Sequence, residues 1–404
     1  MPVAAQDAGI LKNQMKMKKF FLMFGLLMSV TMFAQAPKDE SRDRSKYAND
    51  SFKDNDKYTV EEPYQTVYVN QVKSGKVKNI IFMIGDGMGL EQISAAWVLN
   101  GGHLNFDNFI YTGFSRTYAT DKLITDSCAG GSGLATGVKT KYGYIGLDPD
   151  GNPVPSVLKT AQEMGKKTGV VVTCRVNDAT PADYCCHSND RHQEEEIAAQ
   201  YLDADLNFLC GGGLAKFVGR EDGRNIVEEM KAKGYTFAAN MDELMAAKGD
   251  RIFSLQAPLE MPGALDRGDY LERSAMKAIE TLDNKNGFFL MIEGSCIDDW
   301  GHDQHIGRLA EELFDFDRTI GRVLEWAEKD GHTLVVVTAD HATGGVTMTR
   351  GSLPERNVKV HFSTSGHNGI VVPVFSYGPK AETFVGIHEN AEIGQLTRKA
   401  LTGK

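Results

Sequence analysis

The stretch HTLVVVTADHATGG, residues 332–345, decides the fold class of this chain. Its run of apolar, mostly β-branched residues is continuous rather than alternating, which is typical of a strand buried on both faces of a parallel sheet. The run ends in the polar pair Asp340 and His341. Five further apolar runs of this kind occur, VKNIIFMIG (77–85), TGVVVTCRV (168–176), NFLCGG (207–212), GFFLMIEG (287–294) and GIVVPVFSYG (369–378).

Helical patterns separate these runs. The clearest covers residues 306–328, where apolar side chains recur every three to four positions on one face. Alternating strands and helices predict an α/β domain with a doubly wound, mostly parallel central sheet and helices on both faces. Small insertions are expected, and the less regular stretch 235–270 is a candidate for one. In such sheets, ligand sites lie beyond the carboxyl ends of the strands.

The N-terminal segment has the pattern of a secretory signal peptide. Three lysines precede the apolar run FFLMFGLLMSVTMF (20–33), which leads into the small residues AQA (34–36). This run is shorter than the roughly 20 residues that a membrane-spanning helix needs, so a membrane anchor is the less favoured alternative. We therefore expect residues 1–36 to be a signal peptide with an over-called start before Met15. Residues 37–58 are expected to form a flexible polar lead-in, and residues 59–404 a single catalytic domain.

The composition indicates which binding partners and which cellular compartment to expect. The 404 residues carry a formal charge of −10, and removing residues 1–36, which carry +3, gives −13 for the mature chain. No lysine and arginine stripe is present, so nucleic acid is not an expected partner. A signal peptide predicts an exported protein, periplasmic or secreted. The six cysteines are scattered through apolar segments without C-x-x-C spacing, and we expect buried free thiols.

Acidic and histidine side chains lie at nearly every predicted strand end. Taken singly, such residues mostly cap helices or meet water, so the argument depends on the set. The candidates are Asp86 after the first strand, Asp178, Thr180 and Arg191 after the second, Glu293, Asp298 and His302 after the fourth, Asp340 and His341 after the fifth, and His367 before the last.

Several of these candidates have the character of zinc ligands. Asp298 and His302 are four residues apart, so one helical turn points both side chains the same way. Asp340 and His341 are adjacent at a strand end, and His367 adds an imidazole from a separate loop. Carboxylate and imidazole are ligands that suit zinc, and three protein ligands with an open position are typical of catalytic sites. The set therefore predicts two zinc sites.

A third group offers only oxygen ligands. Asp86, Thr180 and Glu293 would suit a hard cation such as Mg²⁺. A carboxylate has two oxygens, so Asp86 could bridge this site and a zinc. Arg191 could bind two oxygens of a phosphate with its guanidinium fork. The alternative for Arg191 is a surface arginine paired with the neighbouring Asp190.

The segment TDSCAGGSGLATG, residues 125–137, raises the question of the nucleophile. Its small residues predict the first turns of a helix packed tightly against the sheet. Free N–H groups and the dipole at a helix start favour an anion, and a serine hydroxyl becomes nucleophilic when a metal binds it. Ser127 and the adjacent Cys128 are both candidates. Ser127 could instead be a simple helix cap, a role that Asp126 could equally fill.

These motifs together resemble the alkaline phosphatases. The resemblance extends from about Lys78 to Pro379 and rests on the ordered set GDGMG, TDS before a glycine-rich helix, DATPA…H…R, EG…IDDWGH, TADH and GHNG. It implies Ser127 as the phosphorylated nucleophile and Arg191 as the phosphate clamp. It also implies one zinc held by Asp298, His302 and His367, a second zinc held by Asp86, Asp340 and His341, and magnesium held by Asp86, Thr180 and Glu293, with Asp178 helping to hold its waters.

The family's mechanism is double in-line displacement through a phosphoserine. The expected function is therefore hydrolysis of small phosphate monoesters, releasing inorganic phosphate, with two Zn²⁺ and one Mg²⁺. A phosphodiesterase or phosphonate hydrolase on the same metal core and a non-catalytic phosphate-binding protein are the alternatives. The related sulfatases modify a Cys or Ser in a C/S-x-P-x-R motif, which is absent here, so Ser127 rather than Cys128 is the expected nucleophile.

Two departures from the family pattern qualify this resemblance. Family members often carry Lys, His or Trp where this chain has Asp299, so the resemblance implies that this extra carboxylate turns away from the phosphate or faces the third metal. The segment from His341 to His367 is short compared with larger members, so the insertion near the dimer interface of this commonly dimeric family is expected to be small or missing.

Overall fold

The computed structural model describes residues 54–72 and 75–403, and a ten-stranded sheet organises this part of the chain. The strands of the central sheet include the six predicted from apolar runs. The strands are β1 (Lys57–Thr59), β2 (Asn79–Gly85), β3 (Tyr111–Arg116), β4 (Lys167–Arg175), β5 (Phe208–Gly212), β6 (Thr236–Ala238), β7 (Ile252–Leu255), β8 (Phe288–Gly294), β9 (Thr333–Thr338), β10 (Ala342–Thr343), β11 (Val346–Ser352), β12 (Asn357–Phe362), β13 (His367–Asn368), β14 (Val372–Tyr377) and β15 (Gly386–Glu389).

Helices connect the strands of this sheet. The predicted helix at 306–328 is confirmed and extends to Asp330. The helices are α1 (Leu90–Leu99), α2 (Ser127–Thr136), α3 (Val157–Glu163), α4 (Ala179–Cys185), α5 (Glu194–Gln200), α6 (Ile226–Ala232), α7 (Met241–Ala246), α8 (Ala264–Arg267), α9 (Tyr270–Leu282), α10 (Cys296–His302), α11 (Ile306–Asp330) and α12 (Asn390–Thr402).

The central sheet has the strand order β15-β3-β14-β9-β2-β8-β4-β5-β7-β6. Its seven strands from β9 to β6 are parallel, which confirms the predicted mostly parallel sheet. The run at 369–378 differs from this pattern because β14 is antiparallel to both β3 and β9. The stretch 235–270, a candidate insertion, instead supplies β6 and β7 at one edge of the sheet.

Helices cover both faces, as the doubly wound pattern requires. Alternate residues of one strand enter opposite cores, so Ile81 and Met83 of β2 pack on one side, and Ile80 and Phe82 on the other. The first core holds the apolar faces of α1, α9 and α11, and the second holds those of α3, α4 and α12. Every residue of β2, β8 and β9 is buried, which explains why these strands read as continuous apolar runs.

A second, three-stranded sheet has the order β1-β12-β11. It is built on the short segment between His341 and His367, which forms the antiparallel hairpin of β11 and β12. The end of the predicted flexible lead-in joins it, because Lys57 pairs with Lys359 and Tyr58 with Val358. The predicted signal peptide and lead-in residues 37–53 lie outside the described residues.

All six cysteines lie in the described part of the chain and are free thiols. Five are buried and Cys185 is partly exposed, so the expectation of buried thiols is confirmed for five of them. A buried ion pair ties α8 to α11, with Arg267 Nη2 at 2.6 Å from both Glu312 Oε2 and Asp315 Oδ2. Across the described ranges, the helices are all too short or too polar to cross a bilayer.

Candidate active site

The site lies at the carboxyl edge of the parallel strands. Asp86 follows β2, Asp178 follows β4, Glu293 lies near the end of β8, and Asp340 follows β9. β14 enters the sheet from this same edge because it runs in the opposite direction, so its preceding residue His367 also reaches the site. The structure therefore brings the predicted candidates from separate loops to one edge of the sheet.

Ser127 is the first residue of α2, as its small-residue context predicted. Asp126, not Ser127, caps the helix, because its Oδ1 accepts a hydrogen bond of 3.1 Å from the N–H of Ala129. The Ser127 hydroxyl is thus left for other contacts. Its Oγ lies 3.2 Å from His341 Nε2 and 3.3 Å from Asp86 Oδ2.

The glycines of α2 allow three neighbours to approach the helix closely. A Cβ on Gly130 would lie 2.7 Å from the backbone oxygen of Asp340. A Cβ on Gly131 would overlap the Asp183 carboxylate of α4, and one on Gly133 would overlap the amide of Asn390 on α12. Real Cβ atoms essentially never come within 3.0 Å of such atoms. The helix therefore needs glycine at these positions to bring Ser127 to the sheet edge.

Cys128 is held as a buried, protonated thiol. Its side chain is fully buried, and burial, followed by the charge of Asp126, raises the pKa of the thiol well above its usual value. The thiolate is the nucleophilic form of cysteine. Cys128 therefore stays a protonated packing residue at neutral pH.

Asp298, His302 and His367 form the first group with converging ligand atoms. His302 Nε2 lies 3.2 Å from Asp298 Oδ2 and 3.2 Å from His367 Nε2. The opposite nitrogen of each ring donates to a backbone carbonyl, His302 Nδ1 to Ser365 and His367 Nδ1 to Thr125. These bonds orient both rings with Nε2 towards the shared space, as outer-shell partners of metal-binding histidines do.

Asp86, Asp340 and His341 form the second group. His341 Nε2 lies 3.1 Å from Asp340 Oδ2 and 3.4 Å from Asp86 Oδ1. The His341 ring is fully buried and stacks on the His367 ring with 3.6 Å between the centroids. The two groups are therefore neighbours, and the Ser127 hydroxyl lies against the second.

Burial changes the charge states in this cluster. It lowers the pKa of His367 to about 4, with a further contribution from His341. It raises the pKa of Asp340 to about 6, with Asp298 adding to the effect. Burial also opposes ionisation of Asp298, but the neighbouring His302 outweighs it, and the pKa of Asp298 falls well below its usual value. Above pH 7 the cluster therefore presents neutral His367 and ionised Asp298 and Asp340.

The third predicted group contains two buried oxygens without hydrogen-bond partners, Thr180 Oγ1 and Glu293 Oε1. Thr180 is the second residue of α4, and Glu293 pairs with Ile84, two positions before Asp86, across β2 and β8. Burial and the charge of Asp178 raise the pKa of Glu293 to about 8. Buried polar atoms normally find a partner, so this pair of oxygens fits a cation.

Arg191 pairs with Asp178 and not with Asp190, the alternative considered from the sequence. Its Nη2 donates a 2.8 Å hydrogen bond to Asp178 Oδ1. Burial opposes the charge of Arg191, but the charges of Asp178 and Asp126 outweigh burial and hold the pKa of its guanidinium above the ordinary value. Asp126 caps α2, so Arg191 lies near the start of this helix. Asp299, the departure from the family pattern, lies partly exposed on α10 next to Asp298.

Two residues of this region were missed at the level of sequence. The Thr343 hydroxyl donates to Asp298 Oδ1 at 2.5 Å and lies 3.2 Å from His341 Nδ1, so it links the two ligand groups. The other is Arg175, the last residue of β4, which contacts Asp178. One sequence feature pointed to Thr343, its place two residues after His341. Alternate residues of an extended segment lie on the same face, so Thr343 is placed on the face of His341.

A serine at a helix start, next to two carboxylate and imidazole groups at the carboxyl edge of an α/β sheet, defines the class of metal-dependent hydrolases. Comparison with known proteins then names the family. The family described as "Alkaline phosphatase" matches residues 77–361 of the chain. The chain belongs to the alkaline phosphatase family, and the predicted resemblance and fold are confirmed.

Individual relatives agree with this assignment. The chain is 40% identical over 302 residues to "Alkaline phosphatase 4" of Bacillus subtilis (strain 168), a match covering 70% of this chain and 64% of that protein. The chain thus spans less than two thirds of that relative's length. Among solved structures, the alkaline phosphatase of the Antarctic bacterium TAB5 superimposes with a TM-score of 0.78 at 36% identity, covering 82% of this chain and 100% of that one. A histidine-to-aspartate variant of that enzyme, with similar agreement, is described with Mg bound in its M3 site.

Proposed function

We propose that this protein hydrolyses phosphate monoesters through a phosphoserine on Ser127, at a site holding two zinc ions and one magnesium ion. The position of the Ser127 hydroxyl carries the proposal. Its Oγ lies 3.2 Å from His341 Nε2 and 3.3 Å from Asp86 Oδ2, inside the second ligand group. A residue that only capped the helix would point at the backbone, and Asp126 already has that role.

The residues present fit zinc at both histidine-containing groups. The two Nε2 atoms of His302 and His367 face each other at 3.2 Å while both Nδ1 atoms are engaged by carbonyls. A neutral imidazole that donates through Nδ1 has a lone pair at Nε2, so two such rings repel each other unless a cation lies between them. Asp298 supplies the charged ligand of the first group. Asp86, Asp340 and His341 supply the second.

Magnesium fits the oxygen group for a separate reason. Thr180 Oγ1 and Glu293 Oε1 are buried without hydrogen-bond partners, and Asp86 follows the strand beside Glu293. Both oxygens of Asp178 are engaged by arginines, so Asp178 would act on bound waters rather than as a direct ligand. When bound, the metals would supply Lewis-acid chemistry that lowers the pKa of the serine hydroxyl and stabilises negative charge.

The chain's own residues account for the remaining steps. Ser127 Oγ releases its proton to solvent and attacks phosphorus, the bond from phosphorus to the substrate's ester oxygen breaks, and the leaving alkoxide takes a proton from solvent. Arg191 holds two oxygens of the transferring phosphoryl group, and α2 presents its first N–H groups to the same anion. Water then attacks the phosphoserine, and inorganic phosphate leaves as Ser127 recovers its proton. Positioning and electrostatics supply most of the catalysis in such transfers.

Monoesters are favoured over diesters by Arg191. The phosphoryl group of a monoester carries two negative charges on three non-bridging oxygens, whereas that of a diester carries one charge on two, so the guanidinium attracts the monoester more strongly. A phosphodiesterase or phosphonate hydrolase on the same ligand set is the second candidate. A non-catalytic phosphate binder has no use for a serine hydroxyl in the ligand group. Export to the periplasm or medium and a homodimer are further parts of the proposal.

The experiment compares wild type, Ser127→Ala and the matched control Cys128→Ala on a chromogenic monoester and a chromogenic diester. Metal-stripped protein is assayed with zinc and magnesium restored separately and together. We expect Ser127→Ala to lose at least about 10⁴-fold in kcat and Cys128→Ala to stay near wild type. An acid-stable phosphate should appear on the peptide spanning residues 125–137 of wild type and Cys128→Ala, and be absent from Ser127→Ala. Full activity of Ser127→Ala, or a diester rate far above the monoester rate, would refute the proposal.

A further inference from the structure

Asp178 belongs to a network of six charged side chains that includes Arg191, the proposed phosphate-binding arginine. Arg175, the last residue of β4, is 5% exposed and lies at its centre. Its Nη2 lies 3.2 Å from Asp178 Oδ2, and its Nη1 lies 3.3 Å from Glu194 Oε1 and 3.4 Å from Glu260 Oε1. Two further cations complete the network. Lys216 Nζ lies 2.9 Å from Glu194 Oε2, and Arg191 Nη2 lies 2.8 Å from Asp178 Oδ1. Three cations thus balance three carboxylates.

Arg191 itself projects from an exposed loop. Its neighbours Asp190 and His192 are exposed, and its side chain is 25% exposed. The hydrogen bond to Asp178 Oδ1 is therefore what holds the guanidinium on the side of the site. Asp178 is in turn fixed at two points, because its Oδ1 also accepts the N–H of Ala179 at 2.8 Å and its Oδ2 faces Arg175.

We propose that Arg175 is a positioning residue for phosphate binding, acting through Asp178 on Arg191. The inference rests on the proposed role of Arg191. Arg175 lies at the end of the buried strand β4 and contacts Asp178, so the sheet sets the direction of the Asp178 carboxylate that binds Arg191. Arg175 also takes up part of the charge of Asp178. Without it, the whole carboxylate charge would act on Arg191 and weaken the attraction of Arg191 for a phosphoryl anion.

The charge state of Arg175 suits this role. Burial opposes its charge, but Asp178, Glu260 and Glu194 outweigh burial and keep the pKa of the guanidinium above its ordinary value. A lysine at this position would place one point charge where the fork now contacts three carboxylates. Arg175→Lys is therefore a partial replacement, and Arg175→Met keeps an unbranched apolar stem and removes the guanidinium with its charge.

The test measures binding of inorganic phosphate to the metal-loaded enzyme by calorimetry, and its competitive inhibition constant. We expect Arg175→Met to weaken phosphate binding about tenfold, and Arg175→Lys to recover part of the loss. kcat should change less than KM. Because Arg175→Met leaves buried carboxylates without their cation, Arg175→Met/Glu260→Gln is made in parallel to restore the charge balance and folding.

Arg220→Met is the matched control. Arg220 is also a buried arginine, paired with Asp222, and donates to the backbone oxygen of Glu195 on α5 without contacting Asp178. It should leave phosphate affinity unchanged. If the role of Arg175 were purely structural, Arg175→Met and Arg220→Met would both lower stability. Both would then leave phosphate affinity nearly unchanged.

The decisive arm introduces Arg175→Met into an Arg191→Ala background. Since Arg175 acts through Arg191, the second substitution should have no further effect on phosphate affinity there. If the losses of phosphate affinity caused by Arg175→Met and Arg191→Ala were fully additive, the inference would be overturned. If Arg191→Ala alone leaves phosphate affinity unchanged, the clamp role in the proposed function fails. If Arg191→Ala weakens binding and Arg175→Met does not, only the positioning role of Arg175 fails.

Discussion

Replacing Gly130 by alanine should displace the nucleophile without touching it. The new Cβ would lie 2.7 Å from the backbone oxygen of Asp340 and 3.2 Å from the Asp340 Cβ. The facing atom is backbone and cannot rotate away, so α2 and the Asp340 backbone must separate by 0.3 Å to reach 3.0 Å and by 0.7 Å to reach ordinary contact at 3.4 Å. Ser127 lies one turn before Gly130 and would move with the helix.

The expected cost is mainly in rate. A misplacement of about 1 Å can lower a rate roughly 100-fold, so we expect kcat to fall about 10- to 100-fold. Overpacking costs about 1–3 kcal/mol, and alanine gains about 1 kcal/mol in helix propensity over glycine. The free energy of unfolding should therefore fall by no more than about 2 kcal/mol.

The assay pairs kcat on a chromogenic monoester with thermal unfolding and zinc content. Gly321→Ala is the control. Gly321 lies on α11, and its added Cβ would contact the Asn105 side chain, away from the site. It should lose stability and keep its kcat. A Gly130→Ala enzyme with wild-type kcat would refute the argument that close packing of α2 places Ser127.

Three further results are expected. Magnesium affinity should weaken about tenfold per pH unit below pH 8, because the pKa of Glu293 is raised to about 8 and magnesium must displace its proton; flat titrations from pH 6 to 9 would contradict this. Arg267→Met should lower the free energy of unfolding by about 3–5 kcal/mol in urea denaturation, since the buried Glu312 and Asp315 carboxylates both lose their contact with Arg267 and only Asp315 keeps a second arginine, Arg318; a change below about 1 kcal/mol would count against it. Thr343→Val should weaken zinc binding about 10- to 100-fold in chelator competition, because Asp298 loses a donor; unchanged zinc affinity would show that this bond is dispensable.

The sequence predicted the fold where strands are buried on both faces. β2, β8 and β9 are buried throughout, so their apolar runs are unambiguous. β3 was missed because its residues alternate between buried and exposed and contain a glycine. The direction of β14 was also beyond sequence reasoning, since the same buried run suits a parallel or an antiparallel neighbour.

The candidate metal ligands of the site were predictable from the sequence. The residues that contact and orient those ligands were harder to predict. Asp298 and His302 share a helical turn, and the Asp340–His341 pair ends a strand, so spacing alone grouped them. The role of Thr343 depends on Asp298, which lies 45 residues earlier in the chain. Arg175 likewise reads as the polar end of a strand until Glu194 and Glu260 are seen beside it. Sequence neighbours give no sign of such partners.

The β11–β12 hairpin leaves the site and returns to the same place. β10 and β13 close its base through the pairs Ala342 with Asn368 and Thr343 with His367. Lengthening a closed loop costs only about 0.6 kcal/mol for each doubling of its length. The exposed turn of the hairpin, residues 353–355, is therefore a permissive point for grafting. A longer segment, even a small domain, inserted there should leave the β1 pairing intact and keep the stacked His341 and His367 rings in register.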